Sequence, residues 1–239
     1  MSTDQSPTTT DTAAGRPPRD LRRFWRVLLA VVAPLPMLAL AIHTLLSPVA
    51  GGTGFKDTVA AYAAHRQLAD SLQWVNAVFV IGLVPAAFAV AWVSRRGAPR
   101  LATAGALLSL SAFLSAFPTL PDDNTLALLT VQEKLDLTTV EKLDQALWAT
   151  PLVSITSGLF ILGLTIGLGL LGAALWRSRV APAWMGIALM VGAVTHPFIP
   201  GQVGAAAGLA IGAVGFAGAG VALLRTRDDD FDLPPSRHM

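Results

Sequence analysis

Five residues of this chain set a side chain capable of binding chemistry in or beside long apolar runs: His43, His65, Trp74, Asn76 and His196. His43 stands seventeen residues after Arg26, and His196 stands seventeen after Arg179. In helical geometry each histidine lies roughly 25 Å beyond its arginine, so the two share a depth. His65, Gln73, Trp74 and Asn76 approach that level from a second segment, Thr195 flanks His196, and Gln202 opens the last apolar run. Three imidazoles on one face can hold a metal or a haem, or serve as an acid–base pair. The simpler reading is that histidines near helix ends hydrogen-bond to lipid headgroups, water or a loop carbonyl. The sharper one has His43 and His196 line one pocket, joined by Trp74 or Asn76. His238, in the C-terminal tail, has no evident role. No catalytic residue, metal ligand or cofactor is assigned.

What is missing narrows the chemistry further. The chain has no cysteine, which removes disulfides, thiol catalysis and iron–sulfur ligation. It has no glycine-rich phosphate loop and no H-E-x-x-H. No Asp, Glu, Lys or Arg falls inside any of its apolar runs. Proton-coupled transporters and ion pumps place a charge at mid-membrane, and intramembrane cyclases and proteases need a buried acid, so these classes are disfavoured. The remaining nucleophiles are ordinary Ser and Thr, whose hydroxyls in membrane helices bond a carbonyl one turn back.

The elements that must position these residues are membrane helices. Only 13% of the 239 residues are charged and 53% are hydrophobic, against about 25% charged in a soluble domain. Residues 1–20 are rich in Ser, Thr, Asp and Pro and read as a disordered tail. The basic stretch Leu21–Arg26 then precedes an apolar run to Leu46. At about 20 residues that run is longer than a signal-peptide core, so it reads as an uncleaved first span rather than a signal or twin-arginine leader. Pro34 and Pro36 should kink it. Span two runs over 72–93, span three over 100–117, span four over 151–176, span five over 183–197 and span six over 202–224. An interfacial helix from Thr58 should feed straight into span two, with Arg66 and Asp70 four apart and able to pair. Residues 119–148 should form one or two surface helices. There Thr138 and Glu141 make a capping box, and Val140, Leu143 and Leu147 an apolar stripe.

Two turns tie the runs together. Trp92-Val-Ser-Arg95-Arg96-Gly-Ala-Pro99 and Trp176-Arg177-Ser-Arg179-Val-Ala-Pro182 share W-x-S-R and then A-P. Each suits a tight connection, with arginine in water, tryptophan at the headgroups and proline opening the next helix. Together they suggest a hairpin repeat, spans two–three and four–five. Thirteen of the fourteen arginines fall in the two tails and these two turns. Arg66, all three lysines and six acids of residues 119–148 fall on the other side. The positive-inside rule then puts both termini in the cytoplasm. Trp25, Trp92, Trp176 and Trp184 mark the inner interface, and Trp74 and Trp148 the outer one. Small residues four apart (Ser154 and Gly158; Gly163 and Gly167; Gly204, Gly208 and Gly212) suggest that spans four and six pack closely.

The order of these features resembles a broad group of uncharacterised six-helix bacterial integral membrane proteins, the domain-of-unknown-function type. The resemblance rests on W-x-S-R-R-G-A-P-R-L-A-T-A-G at 92–105, an acidic helical outer loop, and L-W-R-S-R-V-A-P-A-W-M-G at 175–186. It covers residues 20–226 and implies topology without any catalytic residue. The expectation is an all-α, polytopic protein of the bacterial inner membrane. It comprises a cytoplasmic tail (1–20), a six-helix membrane domain (21–226) with short interfacial helices outside, and a second disordered cytoplasmic tail (227–239). Its expected partners are the lipid bilayer and a membrane protein or second copy, not nucleic acid. Its expected role is non-enzymatic: an accessory, sensor or small-ligand-binding protein. The alternatives are an enzyme or carrier for a lipid or other apolar substrate acting through His43 and His196, and a haem- or metal-binding protein. A visible absorption spectrum separates the last.

Overall fold

Proline and glycine set the helix boundaries of this chain. The computed structural model describes residues 20–49, 53–115 and 123–231, with backbone alone for Asp123, His196 and Pro197. Among them there are helices and turns but no strand. The first apolar run is split into α1 (Arg22–Val32) and α2 (Leu35–Leu46). Pro34 has no N–H to give the Ala30 carbonyl, which is the kink expected of it. Then come α3 (Phe55–Ala64), α4 (Arg66–Ser94), α5 (Pro99–Ser115), α6 (Asp123–Gln132) and α7 (Leu137–Trp148). After Pro151, at the first helical position, α8 (Pro151–Leu162) passes through a π-helical turn, Gly163–Gly167, into α9 (Leu168–Ser178). The chain continues through α10 (Ala183–Phe198), α11 (Gln202–Arg225) and a short α12 (Asp228–Phe231).

Four of these stretches are long and apolar enough to cross a membrane: Arg22–Leu46, Arg66–Ser94, Pro151–Ser178 and Gln202–Arg225. The shorter α5 and α10 complete the bundle. Neighbours follow one another around it: α2 on α4, α4 on α5, α5 on α8–α9, α9 on α10, α10 on α11, and α11 back on α1 and α2. α4 also touches α9 and α11 across the bundle. The shared core includes Leu83, Val90, Leu168, Leu171, Leu189 and Phe216, each essentially inaccessible.

Glycines stand at many of these contacts, because without a Cβ two helix backbones can approach closely. A Cβ added at Gly186 would stand 2.6 Å from the Trp176 nitrogen, and one at Gly172 would stand 2.9 Å from the Gly186 carbonyl. At Gly192 it would meet the backbone of Gly212 and, at 2.9 Å, the Gly208 carbonyl. At Gly220 it would stand 2.7 Å from the Ala30 carbonyl, the one that Pro34 leaves without its helical donor. Gly163 and Gly167 lie against Ala112 and Ser109 of α5. The two W-x-S-R turns also meet: a Cβ at Gly97 would be 2.6 Å from the Cα of Ser178. Arg179 ends α9 in the left-handed conformation, φ 55 and ψ 20.

Several expectations are corrected. α11, expected to pack on the segment 151–176, packs chiefly on α10 and on α1–α2 instead, because its glycines face Gly192, Leu189, Met185 and Ala30. Gly158 meets nothing within 4 Å. α3 starts at Phe55 and does not run straight into α4: His65, at φ −127 and ψ 41, breaks the helix. Asp70 accepts a 2.6 Å hydrogen bond from Gln132 in α6. The cap of α7 is Asp136, which accepts from the Thr139 nitrogen at 2.8 Å, and Glu141 pairs with Lys56 at 3.2 Å. Of the stripe read on α7, Val140 is buried and Leu147 half-buried, but Leu143 is exposed and Asp144 is buried in its stead. Residues 228–231, expected in a disordered tail, form α12, and Phe231 is buried. The end expected for span three, residues 116–117, lies outside the described residues.

Two kinds of glycine should respond oppositely to one extra methyl. Gly192→Ala must push α10 off α11 and should lower the thermal midpoint in detergent, by about 1–3 kcal/mol of overpacking. Gly158→Ala meets open space and gains about 1 kcal/mol of helix propensity, so its midpoint should hold or rise. Equal effects at the two sites would contradict the packing described.

Candidate functional site

The histidine end is built on the α2–α4 and α2–α11 contacts. α2 crosses α4 at Pro36 and Gly82, where a Cβ on the glycine would be 3.2 Å from the proline ring. His43 is two turns beyond Pro36 on the same stripe, and half-buried. Its own carbonyl accepts from the Ser47 nitrogen at 2.9 Å. Asn76, six residues before Gly82 on the antiparallel α4, lies at a matching level, about 9 Å from the crossing. Gln202 staples the end of α2: its amide donates to the carbonyls of Thr44 at 2.7 Å and Ser47 at 2.6 Å. Carbonyls left over at a helix end need such a donor.

The other two residues at this end face away. Trp74 is 78% exposed, in an apolar stripe with Val78, Ile81 and Phe88 on α4. That stripe is what a helix shows to lipid, and the indole fits an interface anchor, not a pocket wall shared with His43. His65 is exposed at the α3–α4 break. The side chain of His196 lies outside the described residues. Its helix, α10, and α2 both pack on α11 at Gly212: Gly192 of α10, at 3.6 Å, and Met37 of α2, at 4.0 Å, border the one place where a Cβ on Gly212 would stand. His43 and His196 both lie beyond that contact, by six and four residues, so the expected shared depth is kept. Only small residues, from Gly204 to Gly208, fill the α11 stretch near them. Thr195 donates to the Gly192 carbonyl at 3.3 Å, as the sequence expects of a membrane hydroxyl. Among the described residues no group of three His, Cys, Asp or Glu is placed to hold a metal ion.

A layer of three short helices covers this end. Tyr62 of α3 is buried with Ala69, Ala127 and Leu128, and its hydroxyl donates to Asn124 at 2.9 Å. Thr139 holds the Asp136 carboxyl below its ordinary value of 3.8 through its side-chain and backbone donors. The cap therefore contributes to α7 above that ordinary value and is lost as the pH falls through the lowered one.

The arginine end carries the more built feature. α12 lies across it, held by residues from α1 and from the α4–α5 turn. Arg26 pairs with Asp228 at 2.8 Å, with an arginine side chain only 13% exposed, and Arg22 pairs with Asp229 at 3.5 Å. Arg95 donates to the Phe231 carbonyl at 3.0 Å and stacks 3.6 Å over Trp92, and Arg96 donates to the Asp230 carbonyl. The Phe231 ring rests on Trp92 with centroids 5.6 Å apart. An ion pair near the surface adds about 0–1 kcal/mol and a cation–π contact about 0.5–1, so α12 is held by several modest terms. Phe231 also stops one end of an apolar groove of about 400 Å³. α4 forms its floor with Val84, Pro85, Phe88 and Trp92, Trp25 and Leu29 of α1 form one wall, and Leu110 of α5 lines the other. That volume lies in the ~300–1,000 Å³ range of small-ligand sites.

The sequence reading missed this groove and α12. A signal was present: Asp228-Asp-Asp-Phe231 follows Arg225 and Arg227 directly and can reach the arginines of the other arginine-bearing segments. Trp92 is half-buried, with its ring between Phe88 and Phe231. Ser94, Ser109 and Thr165 are exceptions to the hydroxyl rule, since their oxygens are buried without a partner among the described residues. No protein-family model matches the chain, and neither a curated protein nor a solved structure matches it.

Proposed function

We propose that this chain is a six-span protein of the bacterial inner membrane that works by binding and not by catalysis, as an accessory subunit, a sensor or a small-ligand binder. The spans are Arg22–Leu46, Arg66–Ser94, Pro99–Ser115, Pro151–Ser178, Ala183–Phe198 and Gln202–Arg225. The helices α3, α6 and α7 are interfacial on the outer side, and both termini are cytoplasmic. α5 and α10 have 17 and 16 residues, about 25 Å of helix, and fit a bilayer that thins locally around them.

One observation carries this reading. The bundle interior holds alkyl, aromatic and hydroxyl groups, while arginines collect at one end and the acid-rich layer at the other. A protein that moved protons or ions would need a charge between them. The side-by-side placement of the turns at Gly97 and Ser178 supports a repeat of spans two–three and four–five. The same features fit the resemblance to six-helix membrane proteins. The layer of α3, α6 and α7 gives a membrane partner or a second copy a folded surface to meet.

A second reading is favoured by the small residues of α11 beside the His43 level: an outer-leaflet pocket for a lipid or other apolar substrate, with His43 and His196 as its polar end. If the imidazoles share a site, His43→Ala and His196→Ala should couple by about 0.5 kcal/mol or more in a stability cycle. Additive losses would keep the two histidines apart.

Topology is tested in intact cells with an impermeant thiol reagent, because the chain has no cysteine of its own. Thr125→Cys in α6 should be labelled, and Arg177→Cys only after permeabilisation. The reverse pattern would overturn the proposed orientation, and labelling of both in intact cells would overturn the span count.

A further inference from the structure

The apolar groove and the acidic turn beside it have complementary chemistry, and the bundle does not use either. The groove starts at Trp92, beside the arginines, and runs to Val84, eight residues deeper on α4 or roughly 12 Å. Its lining is wholly alkyl and aromatic, which suits a hydrocarbon chain and offers nothing to a polar ligand. Arg22 and Arg26 flank the groove residue Trp25 on α1: Arg26 is paired with Asp228, and Arg22, forked onto Asp20 at 2.9 and 3.0 Å, also reaches Asp229. Guanidinium binds phosphate in the same forked geometry as carboxylate. The acidic turn therefore occupies positions that a phosphate would fill, and Phe231 occupies the end of the groove that a lipid chain would enter.

We propose that this groove binds one acyl chain of an anionic phospholipid, whose phosphate replaces Asp228 and Asp229 on Arg26 and Arg22 as α12 lifts away. α12 is thus a displaceable cover: it holds Phe231 in the groove mouth when no such lipid is bound. Charge selects the occupant. The arginine end carries more cations than the acids of α12 neutralise, and a juxtamembrane basic cluster draws anionic lipid. The inference rests on the reading of the arginine end as a membrane–water interface.

Trp25 and Trp92 line the groove, so the test is optical. The full chain is reconstituted in phosphatidylcholine vesicles with rising fractions of phosphatidylglycerol bearing brominated acyl chains, which quench tryptophan on contact. Brominated phosphatidylcholine is the control lipid. Phosphatidylglycerol should quench at severalfold lower mole fraction than phosphatidylcholine. Asp228→Asn with Asp229→Asn, which takes two carboxylate charges off Arg26 and Arg22 without touching the bundle, should widen that preference by roughly tenfold. Replacing Trp25 and Trp92 by Phe should remove the excess quenching. Equal quenching by the two lipids, in the wild type and in the Asn variant, would overturn the proposal. An excess that survives without Trp25 and Trp92 would also overturn it, because the lipid would then lie elsewhere. Failure of the membrane reading looks different: even pure brominated phosphatidylcholine would leave the tryptophans unquenched.

Discussion

Backbone-to-backbone approach through glycine is the constraint on which this bundle depends. Lipid is as apolar as leucine, so a helix in it gains little by turning a greasy face to its neighbour. Dispersion and weak polar contacts remain, and both fall off steeply with distance. Glycines therefore stand at nearly every step around the bundle: Gly82 under Pro36, Gly163 and Gly167 on α5, Gly172 and Gly186 between α9 and α10, and Gly192 against α11. Gly220 shows how packing and backbone chemistry combine. Pro34 leaves the Ala30 carbonyl without its helical donor, and the side chain missing at position 220 lets α11 close over that carbonyl. Such Cα–H contacts to carbonyls recur at helix interfaces.

Close packing of an uncharged interior leaves the two ends to carry all the polar organisation. At one end Gln202 ties α2 to α11, and a small layer of three helices is joined by Tyr62–Asn124, Asp70–Gln132 and Lys56–Glu141. At the other, four arginines converge on a single helical turn. The first arrangement holds one ion pair, Lys56–Glu141, among hydrogen bonds, whereas the second gathers several guanidinium groups whose anionic partners other anions can replace. This contrast makes the arginine end the better place to look for exchange with the membrane.

The all-helical fold and the boundaries of the long apolar runs were legible because they follow from local rules: run length, proline position and arginine segregation. Neighbour order was not. The Gly204–Gly208–Gly212 ridge announces a smooth face, but nothing in its spacing says whether α9 or α10 will use it; Gly192 of α10, whose backbone meets Gly212 and Gly208, decides that. The cap of α7 was misread by two residues because Thr138 and Glu141 fit the capping box, whereas Asp136 caps without one, accepting from both the nitrogen and the hydroxyl of Thr139. Of the candidate site, the depth of His43 was legible from helix rise, but the facing of Trp74 was not, since an interface tryptophan and a pocket tryptophan have the same sequence surroundings. α12 was lost because three aspartates in a tail look like solvated charge until the arginines opposite them are brought within reach.

The central claim is the order of helices around the bundle, and pairwise cross-linking reads it directly. Met185 of α10 meets Gly218 of α11, with the Met185 Cβ 2.8 Å from where a Cβ on the glycine would stand. Disulfides need Cβ atoms about 3.5–4.5 Å apart, a distance that a small shift supplies here. In the cysteine-free chain, Met185→Cys with Gly218→Cys should therefore form an intramolecular disulfide on mild oxidation in native membranes, whereas Gly167→Cys with Gly208→Cys should stay reduced. Cross-linking of the second pair and not the first would place α11 on the π-helical turn and contradict the packing on which this account stands.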